Sequence, residues 1–260
     1  MEVRMDGRVA LITGGSLGLG YAMAEKFVES GADVALIARR QDALDTAVST
    51  LQSGVKTRII GISCDVSKAS EIEDMFQKVL SKLGRVDILI NNAGHAKAGE
   101  FESISDEEWQ YDFDLKLMAA VRLSRLVFPG MKERNWGRII NMLNTMAKTP
   151  SARSAPTSVT RAAGMALTKV LAGEGAPYNI LVNGFNIGRI KSDQIQRAYD
   201  ATNKELSFED FVARAGKNIP IGRFGEAEEC ANLACLLCSD AGGYVTGTSI
   251  NVDGGLSPAL

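Results

Sequence analysis

The sequence predicts an α/β fold in which helices cover both faces of a seven-stranded parallel sheet. Short runs of apolar and β-branched residues recur along the chain, and amphipathic helical stretches separate them. The first run leads directly into a glycine-rich turn, and a helical stretch follows that turn. Because a helix follows each strand, consecutive strands are joined by crossovers and lie parallel. We therefore expect a single doubly wound domain over residues 1–260.

Seven segments have the length and composition of buried strands. They are Val9–Thr13, Asp33–Ala38, Arg58–Cys64, Val86–Asn91, Arg138–Leu143, Ile180–Phe185 and Ser249–Val252. Gly31 is placed to end the first helix, and Pro156 stands in the first turn of a later one. Ser105 and Glu108 have the spacing of a capping box.

The stretch from about Lys191 to Lys217 differs from the rest of the chain because it is more polar and predicts two short helices with no strand between them. Such an insertion lies over the carboxyl edge of a parallel sheet, where ligands bind. We expect residues 191–217 to serve as a substrate lid.

The composition argues against several classes of function. The 29 Lys and Arg residues nearly balance the 31 Asp and Glu residues, so there is no basic excess for nucleic acid or an anionic membrane. No window approaches eighteen consecutive apolar residues, and the N-terminus lacks the apolar run of a signal peptide. The expected protein is soluble and cytoplasmic, and acts on a small molecule.

The four cysteines raise the question of a metal centre. Cys230, Cys235 and Cys238 are spaced like ligands of an iron–sulfur cluster, with Cys64 as a distant fourth. The segment around the first three has helical periodicity and no glycine loop to wrap a cluster. We therefore predict reduced structural thiols and no metal site.

A glycine-rich turn follows the first strand and predicts a phosphate-binding loop. Such a turn places backbone N–H groups and the positive end of a helix dipole against a pyrophosphate, which bulky side chains would block. We assign cofactor contacts to six residues of this turn, namely Gly14, Ser16, Leu17, Gly18, Leu19 and Gly20.

The end of the second strand predicts which dinucleotide binds. An acidic residue about twenty positions beyond the glycine loop would bind the ribose hydroxyls of NAD. The strand ends instead in Ala38, Arg39 and Arg40, and a guanidinium group matches the 2′-phosphate of NADP. We predict NADP rather than NAD, with Arg39 as the contact.

Together these motifs resemble those of the short-chain dehydrogenase/reductase family. The glycine turn reads Thr-Gly-x-x-x-Gly-x-Gly from Thr13, Asp65-Val66 closes the third strand, and Asn91-Asn92-Ala93-Gly94 closes the fourth. The C-terminal runs from Ile219, Tyr244 and Asn251 also resemble the family's. The resemblance implies a Rossmann fold, an NADP-dependent oxidoreductase, and a homodimer or homotetramer. It also implies cofactor contacts at Asp65, Val66, Asn92, Gly94, Gly188, Ile190 and Ser192.

The resemblance breaks down at the catalytic positions. Members of the family use an Asn, a Ser, and a Tyr-x-x-x-Lys pair on one helix. Superposing the motifs places Lys116 at the Asn position, Asn144 at the Ser position, and Thr157 and Arg161 at the Tyr and Lys positions. None of the five tyrosines is followed four residues later by lysine. An unusual active site follows.

Because a threonine hydroxyl is a weak acid, another proton donor is needed. His95, the only histidine, follows the Asn-Asn-Ala-Gly motif, and its alternative is a surface position without a role. Lys116 is the second candidate, since burial beside Arg161 would lower its pKa, and its alternative is a structural cation.

Lys116, Arg161 and Arg153 together predict a cationic pocket that favours an anionic substrate, unless Asp112 or Asp114 neutralises Lys116. Three functions stay open at this point: an oxidoreductase with an atypical proton donor, a non-redox lyase, isomerase or decarboxylase, and a silent NADP-binding subunit or sensor.

Overall fold

The computed structural model describes residues 3–201 and 206–260. Seven parallel strands form one sheet in the order β3-β2-β1-β4-β5-β6-β7. The strands are β1 (Val9–Thr13), β2 (Asp33–Ala38), β3 (Ile59–Ser63), β4 (Ile88–Asn91), β5 (Gly137–Asn144), β6 (Ile180–Ile187) and β7 (Ser249–Val252). The predicted doubly wound α/β fold is confirmed.

Helices cover both faces of this sheet. They are α1 (Gly18–Glu29), α2 (Gln41–Leu51), α3 (Ala69–Leu83), α4 (Asp106–Phe113), α5 (Ala119–Glu133), α6 (Thr157–Gly175), α7 (Asp193–Asp200), α8 (Phe208–Gly216) and α9 (Ala227–Cys238). A π-helical turn, Asp114–Met118, joins α4 to α5. The capping box of Ser105 and Glu108 begins α4 as predicted. No helix in the described ranges is long and apolar enough to cross a membrane.

Strand lengths differ from the predictions at four of the seven segments. β3 is one residue shorter at each end, and β4 begins two residues late, because the buried Asp87 carboxylate accepts hydrogen bonds from the Val9 N–H and from Arg85. β5 and β6 extend beyond the predicted ends because they pair with each other over eight residues, as far as Asn144 and Ile187. This extension carries both strands towards the edge where the site lies.

Two apolar layers flank the sheet. On one face, α1 and α9 pack together through side chains such as Met23, Phe27 and Ala231, which are fully buried. On the other face, α3 and α5 contribute Phe76 and Leu123. The two layers leave the carboxyl ends of the strands uncovered by the core, so the loops there are available for a ligand.

The packing of α9 reduces the apolar surface on which one argument for self-association depends. The apolar residues Ala231, Leu233, Ala234, Leu236 and Leu237 suggest a surface that needs a partner copy. In the structure Ala231, Ala234 and Leu237 are buried within this chain, at 0%, 0% and 4% exposure, because α9 packs on α1, and Leu233 and Leu236 are partly buried. The helix therefore gives no independent warrant for an oligomer.

The predicted insertion contains two short helices, α7 and α8, with no strand between them in its described part. The part of the predicted lid at positions 202–205 lies outside the described residues. Val212 of α8 packs with Ile219 and Phe224 in a small apolar cluster of its own, and Ile195 of α7 adds to it. The insertion thus has a separate small core beside the main sheet.

Candidate active site

The glycine loop between β1 and α1 has a backbone that side chains would disrupt. Gly14 and Gly18 have φ values of +64° and +57°, in the left-handed region that favours glycine. A Cβ on Gly20 would lie 2.2 Å from the Gly14 carbonyl oxygen and 2.7 Å from Asn92 Nδ2. The loop is therefore held close to the start of α1, where backbone N–H groups are available to an anion.

Asn92 holds this loop in place. Its Nδ2 donates to the carbonyl oxygens of Thr13 at 2.9 Å and Gly14 at 3.1 Å. The Thr13 hydroxyl in turn accepts from the N–H groups of Asn92 and Ala93, each at 3.0 Å. The ends of β1 and β4 are thus joined, and the Asn-Asn-Ala-Gly segment forms one wall beside the loop.

A cleft of about 820 Å³ lies along the carboxyl edge of the strands. It brings together most of the predicted cofactor residues. Those lining it are Gly14, Ser16, Leu17, Gly18, Leu19, Arg39, Asp65, Val66, Asn92, Gly94 and Ser192, together with His95. Arg39 is exposed at the end of β2, as a contact to a phosphate requires.

Three predicted cofactor residues do not line the cleft. Gly20 stands behind the loop, against the Gly14 carbonyl oxygen. Gly188 packs closely against Asp253, so that a Cβ there would lie 2.6 Å from the Asp253 Cβ. Ile190 is 6% exposed and forms a bridge with Gly225. Gly20 and Gly188 make close packing possible, and Ile190 anchors the segment that leads to Ser192.

Behind the cleft, α6 and the π-helical turn form a buried ionic cluster. We use this term for Asp112, Lys116, Thr157 and Thr160, whose residues are 1–6% exposed. Lys116 Nζ donates to Asp112 Oδ1 and, at 2.7 Å, to Thr157 Oγ1. Thr160 Oγ1 donates to Asp112 Oδ2 at 2.7 Å. Asp112 of α4 and Lys116 of the π-helical turn form an ion pair, and their hydrogen bonds to the Thr160 and Thr157 hydroxyl groups join this segment to α6.

Thr157 Oγ1 has a defined role within this cluster. It accepts a hydrogen bond from Lys116 Nζ and a second, at 2.9 Å, from the N–H of Lys97. A hydroxyl has two acceptor positions and one proton to donate. Because both acceptor positions are occupied, this hydroxyl can act towards a further group only as a donor.

Lys116 and Arg161 have lowered pKa values. Burial is the main cause for both, and it lowers the pKa of Lys116 to about 8 although the bond to Asp112 opposes the change. Arg161 also lowers the Lys116 pKa by repulsion, and burial lowers the Arg161 pKa to about 10. Arg161 therefore keeps its charge at neutral pH, whereas Lys116 is an acid that titrates close to it.

Arg161 approaches the floor of the cleft from below. Its Nη2 lies 2.7 Å from where a Cβ on Gly94 would stand, and Gly94 lines the cleft. Nη1 donates to the Met142 carbonyl oxygen, and no carboxylate of the described chain forms an ion pair with this guanidinium. Since a guanidinium carries five N–H donors, most of those of Arg161 are available to a ligand.

Asn144 ends β5 at the same edge of the sheet. Its Oδ1 is buried and has no hydrogen-bond partner in the described part of the chain. A buried polar atom without a partner is costly, and its need is met when a bound group or water supplies one. The Asn144 amide is therefore a candidate ligand contact.

His95 is the one predicted catalytic residue that lines the cleft, whereas Lys116, Asn144, Thr157 and Arg161 stand behind it. It is exposed, and its ring centroid lies 6.0 Å from that of Tyr111. The structure thus separates an accessible histidine from the buried ionic cluster.

The predicted surplus of cations in the pocket is wrong for two of the three residues. Lys116 is paired with Asp112 inside the cluster, the alternative that the sequence left open. Arg153 is 70% exposed and pairs with Glu100 at 2.7 Å. Asp114 is not involved, because it pairs with Arg122. The repulsion between Lys116 and Arg161 is therefore offset by the Asp112 carboxylate.

Comparison with known proteins agrees with this architecture. A family model described as enoyl-(acyl carrier protein) reductase matches residues 14–257. Human dehydrogenase/reductase SDR family member 4 is 33% identical over 97% of this chain and 88% of its own length. The chain belongs to the short-chain dehydrogenase/reductase family.

Solved structures of this family are similar along the whole chain. L-Sorbose reductase from Gluconobacter frateurii, solved with NADPH and L-sorbose, is 36% identical, covers 100% of both chains and has a TM-score of 0.95. An NADPH-bound short chain oxidoreductase from Pseudomonas aeruginosa PAO1, described as containing an atypical catalytic center, is 32% identical with a TM-score of 0.91. It covers 99% of this chain and 100% of its own.

Sequence reasoning gave Asp112 only a neutralising part and assigned no catalytic role to Thr160. The sequence signal that could have indicated both residues was their spacing from Lys116 and Thr157. Asp112 and Lys116 are four residues apart, and Thr157 and Thr160 are three apart, so each pair lies on one helix face. That the two faces meet follows only from the packing of α6 against the π-helical turn.

Proposed function

We propose that this short-chain dehydrogenase/reductase is an NADPH-dependent carbonyl reductase with an atypical catalytic set. The observation that carries the proposal is the hydrogen bond between Lys116 and Thr157, which joins an acid of lowered pKa to a hydroxyl available only as a donor. Lys116, Asn144, Thr157 and Arg161 stand where the family resemblance expects Asn, Ser, Tyr and Lys. The oxidoreductase relatives favour this reading over a lyase or a silent subunit.

The residues present fit a dinucleotide phosphate. The glycine loop leaves no Cβ over the start of α1, and a Cβ on Gly18 would meet no atom within 4 Å, so the approach is open. Arg39 would hold the 2′-phosphate, and Asp65 and Val66 line the cleft beyond it. When bound, the cofactor supplies the hydride that reduces the carbonyl carbon.

Thr157 and Lys116 supply the proton in this proposal. As negative charge develops on the substrate oxygen, Thr157 donates its proton to that oxygen and receives one from the Lys116 ammonium. Lys116 becomes neutral and regains a proton from solvent before the next turnover. An acid whose pKa is about 8 is suited to this exchange near neutral pH.

Arg161 stabilises the same oxygen, and Asn144 binds another part of the substrate. The available guanidinium donors of Arg161 lie beneath Gly94, where they oppose developing negative charge. The Asn144 amide meets a polar group of the substrate, which gives its buried Oδ1 a partner. Because no carboxylate in the described part of the chain forms an ion pair with Arg161, a substrate with an anionic group is favoured.

His95 is the second candidate for the proton donor, because it lines the cleft and is exposed. Histidine is the side chain that most often acts as a general acid in enzymes. In this version the buried ionic cluster is structural, and His95 exchanges a proton directly with the substrate oxygen.

We further propose that α7 and α8 form a lid over the substrate, that the chain forms a homodimer or homotetramer, and that it works in the cytoplasm. The lid is supported by Ser192, which lines the cleft directly before α7. The oligomer rests on the family resemblance, and the location rests on the nearly balanced charge composition.

Steady-state oxidation of NADPH with a panel of ketones and 2-oxo acids tests both the reductase activity and the identity of the proton donor. Lys116→Met should lower kcat at least about 100-fold, as expected for a general acid, while His95→Asn changes it less than about threefold. Unchanged NADPH affinity would show that both variants are folded. The reverse pattern would move the donor to His95, and no turnover with any carbonyl would refute the reductase.

A further inference from the structure

Asp112 is a buried carboxylate with two partners of unlike kind. Oδ1 accepts from the Lys116 ammonium, and Oδ2 accepts from the Thr160 hydroxyl at 2.7 Å. Because its side chain is only 2% exposed, Asp112 can act on its neighbours but not directly on a ligand. Thr157 and Thr160 come from the first turn of α6, so the carboxylate joins α6 to the turn that carries Lys116.

The backbone around Lys116 explains why such a link is needed. Lys116 lies in the π-helical turn Asp114–Met118, whose wider hydrogen-bond pattern is commonly found at functional sites. A lysine side chain has four rotatable bonds, so a single hydroxyl contact does not determine its direction. The Asp112 carboxylate supplies the second contact and sets the ammonium against Thr157 Oγ1.

The charges that face Lys116 are few. Asp112 attracts the ammonium from α4, and Arg161 repels it from α6. The nearby Lys97 ammonium is paired with Glu108, and only its main-chain N–H reaches Thr157. Among the described charged residues, Asp112 is therefore the one that keeps Lys116 protonated against burial and against Arg161.

We propose that Asp112 is a positioning residue, which holds the Lys116 ammonium charged and aimed at Thr157 and thereby sets the pH range of proton donation. The inference rests on the proposed function for its consequence in catalysis. Its structural part, the coupling of Asp112 to Lys116, is independent of any reaction.

Thermal unfolding of the ligand-free protein tests the coupling. The pKa of Lys116 is about 8, below its ordinary value of 10.5, so the unfolded chain binds the proton more tightly. The stability contributed by this residue therefore rises as pH increases from about 8 to 10.5. The difference in Tm between wild type and Lys116→Met should follow that rise.

Asp112→Asn removes the attracting charge and should lower the Lys116 pKa further. The Tm difference between Asp112→Asn and Asp112→Asn/Lys116→Met should then begin to rise below pH 8. Asp114→Asn is the matched control, since its carboxylate pairs with Arg122 and should leave the wild-type curve unchanged. Coincident curves for Asp112→Asn and wild type would overturn the coupling.

The pH dependence of kcat tests the consequence. Reduction needs protonated Lys116, so kcat falls as pH rises through its pKa, and Asp112→Asn should move this fall to lower pH. We expect kcat near neutral pH to drop about 10- to 100-fold, the range of a hydrogen bond to a charged group, with KM nearly unchanged. A change in KM alone, or a pH profile of kcat that does not shift, would refute the positioning role of Asp112.

If Asp112→Asn does not fold, a milder substitution at Thr160 tests the same positioning role. Thr160→Val removes only the hydroxyl that holds Oδ2, and Thr160→Ser keeps it. We expect Thr160→Val to lower kcat and Thr160→Ser to keep kcat close to the wild-type value, with equal NADPH affinity in both variants. Wild-type kcat in Thr160→Val would contradict positioning through this bond. A shifted unfolding curve without any turnover would keep the coupling and refute the reductase.

Discussion

The two sides of the candidate active site are built on different principles. On the cofactor side, the glycine loop at the end of β1 is shaped by its backbone, and space is left where side chains are missing. On the proposed catalytic side, which we call the catalytic side, the buried ionic cluster is shaped by side chains that fill the space between α6 and the π-helical turn. The first side is open to solvent, and the second is closed.

This difference determines which substitutions each side tolerates. A pyrophosphate is bound through backbone N–H groups that every residue except proline possesses, so its contacts with the loop depend on the absence of Cβ atoms rather than on particular side chains. A buried ion pair depends on both partners, because one charge left alone in a low-dielectric interior is costly. Single substitutions should therefore have different effects on the two sides. A second substitution that removes the partner charge should restore stability only on the catalytic side.

The largest effect on NADPH binding should come from Gly20→Ala on the cofactor side. The new Cβ would lie 2.2 Å from the Gly14 carbonyl oxygen, which is backbone and cannot rotate away. The loop must shift, and overpacking of this kind costs about 1–3 kcal/mol or more in stability. We expect a lower Tm and loss of NADPH binding in a fluorescence titration.

Gly173→Ala is the matched control for this substitution. Gly173 lies exposed in α6, and a Cβ there would meet no atom within 4 Å. Alanine in a helix interior is favoured over glycine by about 0.5–1 kcal/mol, so Tm should rise slightly with unchanged NADPH binding. Equal behaviour of the two variants would contradict a loop determined by close backbone packing.

The next effect concerns the ion pair on the catalytic side. Lys116→Met leaves the Asp112 carboxylate buried without its cation, which should destabilise the fold by about 3–5 kcal/mol at neutral pH. Lys116→Met/Asp112→Leu removes both charges and should recover most of that loss. Urea unfolding measures the free energies. If the double variant were as unstable as Lys116→Met, the unpaired Asp112 carboxylate would not be the cause of the lost stability.

The smallest effect should come from Arg39→Asp at the rim of the cofactor side. The side chain is exposed, so unfolding should not change, and only the affinity for the 2′-phosphate is affected. Loss of a charge-assisted hydrogen bond predicts about 10- to 100-fold weaker NADPH binding, with NADH binding retained or improved. Arg40→Asp is the neighbouring control, and an equal loss there would remove Arg39 from its assigned contact.

The cofactor side was largely predictable from the sequence. The glycine spacing, the strand before it and the arginine at the end of β2 are local features, and each predicts its geometry through backbone conformation alone. Eleven of the fourteen predicted cofactor residues line the cleft together. The exceptions, Gly20, Gly188 and Ile190, have packing positions that depend on distant partners such as Asp253 and Gly225.

The sequence by itself determined the alternation of strands and helices, hence the doubly wound sheet, and it predicted which residues stand at the expected catalytic positions. Periodicity and motif spacing are read within one segment, and they suffice for this. Only the tertiary structure decided that Asp112 pairs with Lys116, and that Thr157 and Thr160 complete their hydrogen bonds. The reason is that charge balance in a buried site depends on which helix faces meet, and that contact joins residues more than forty positions apart.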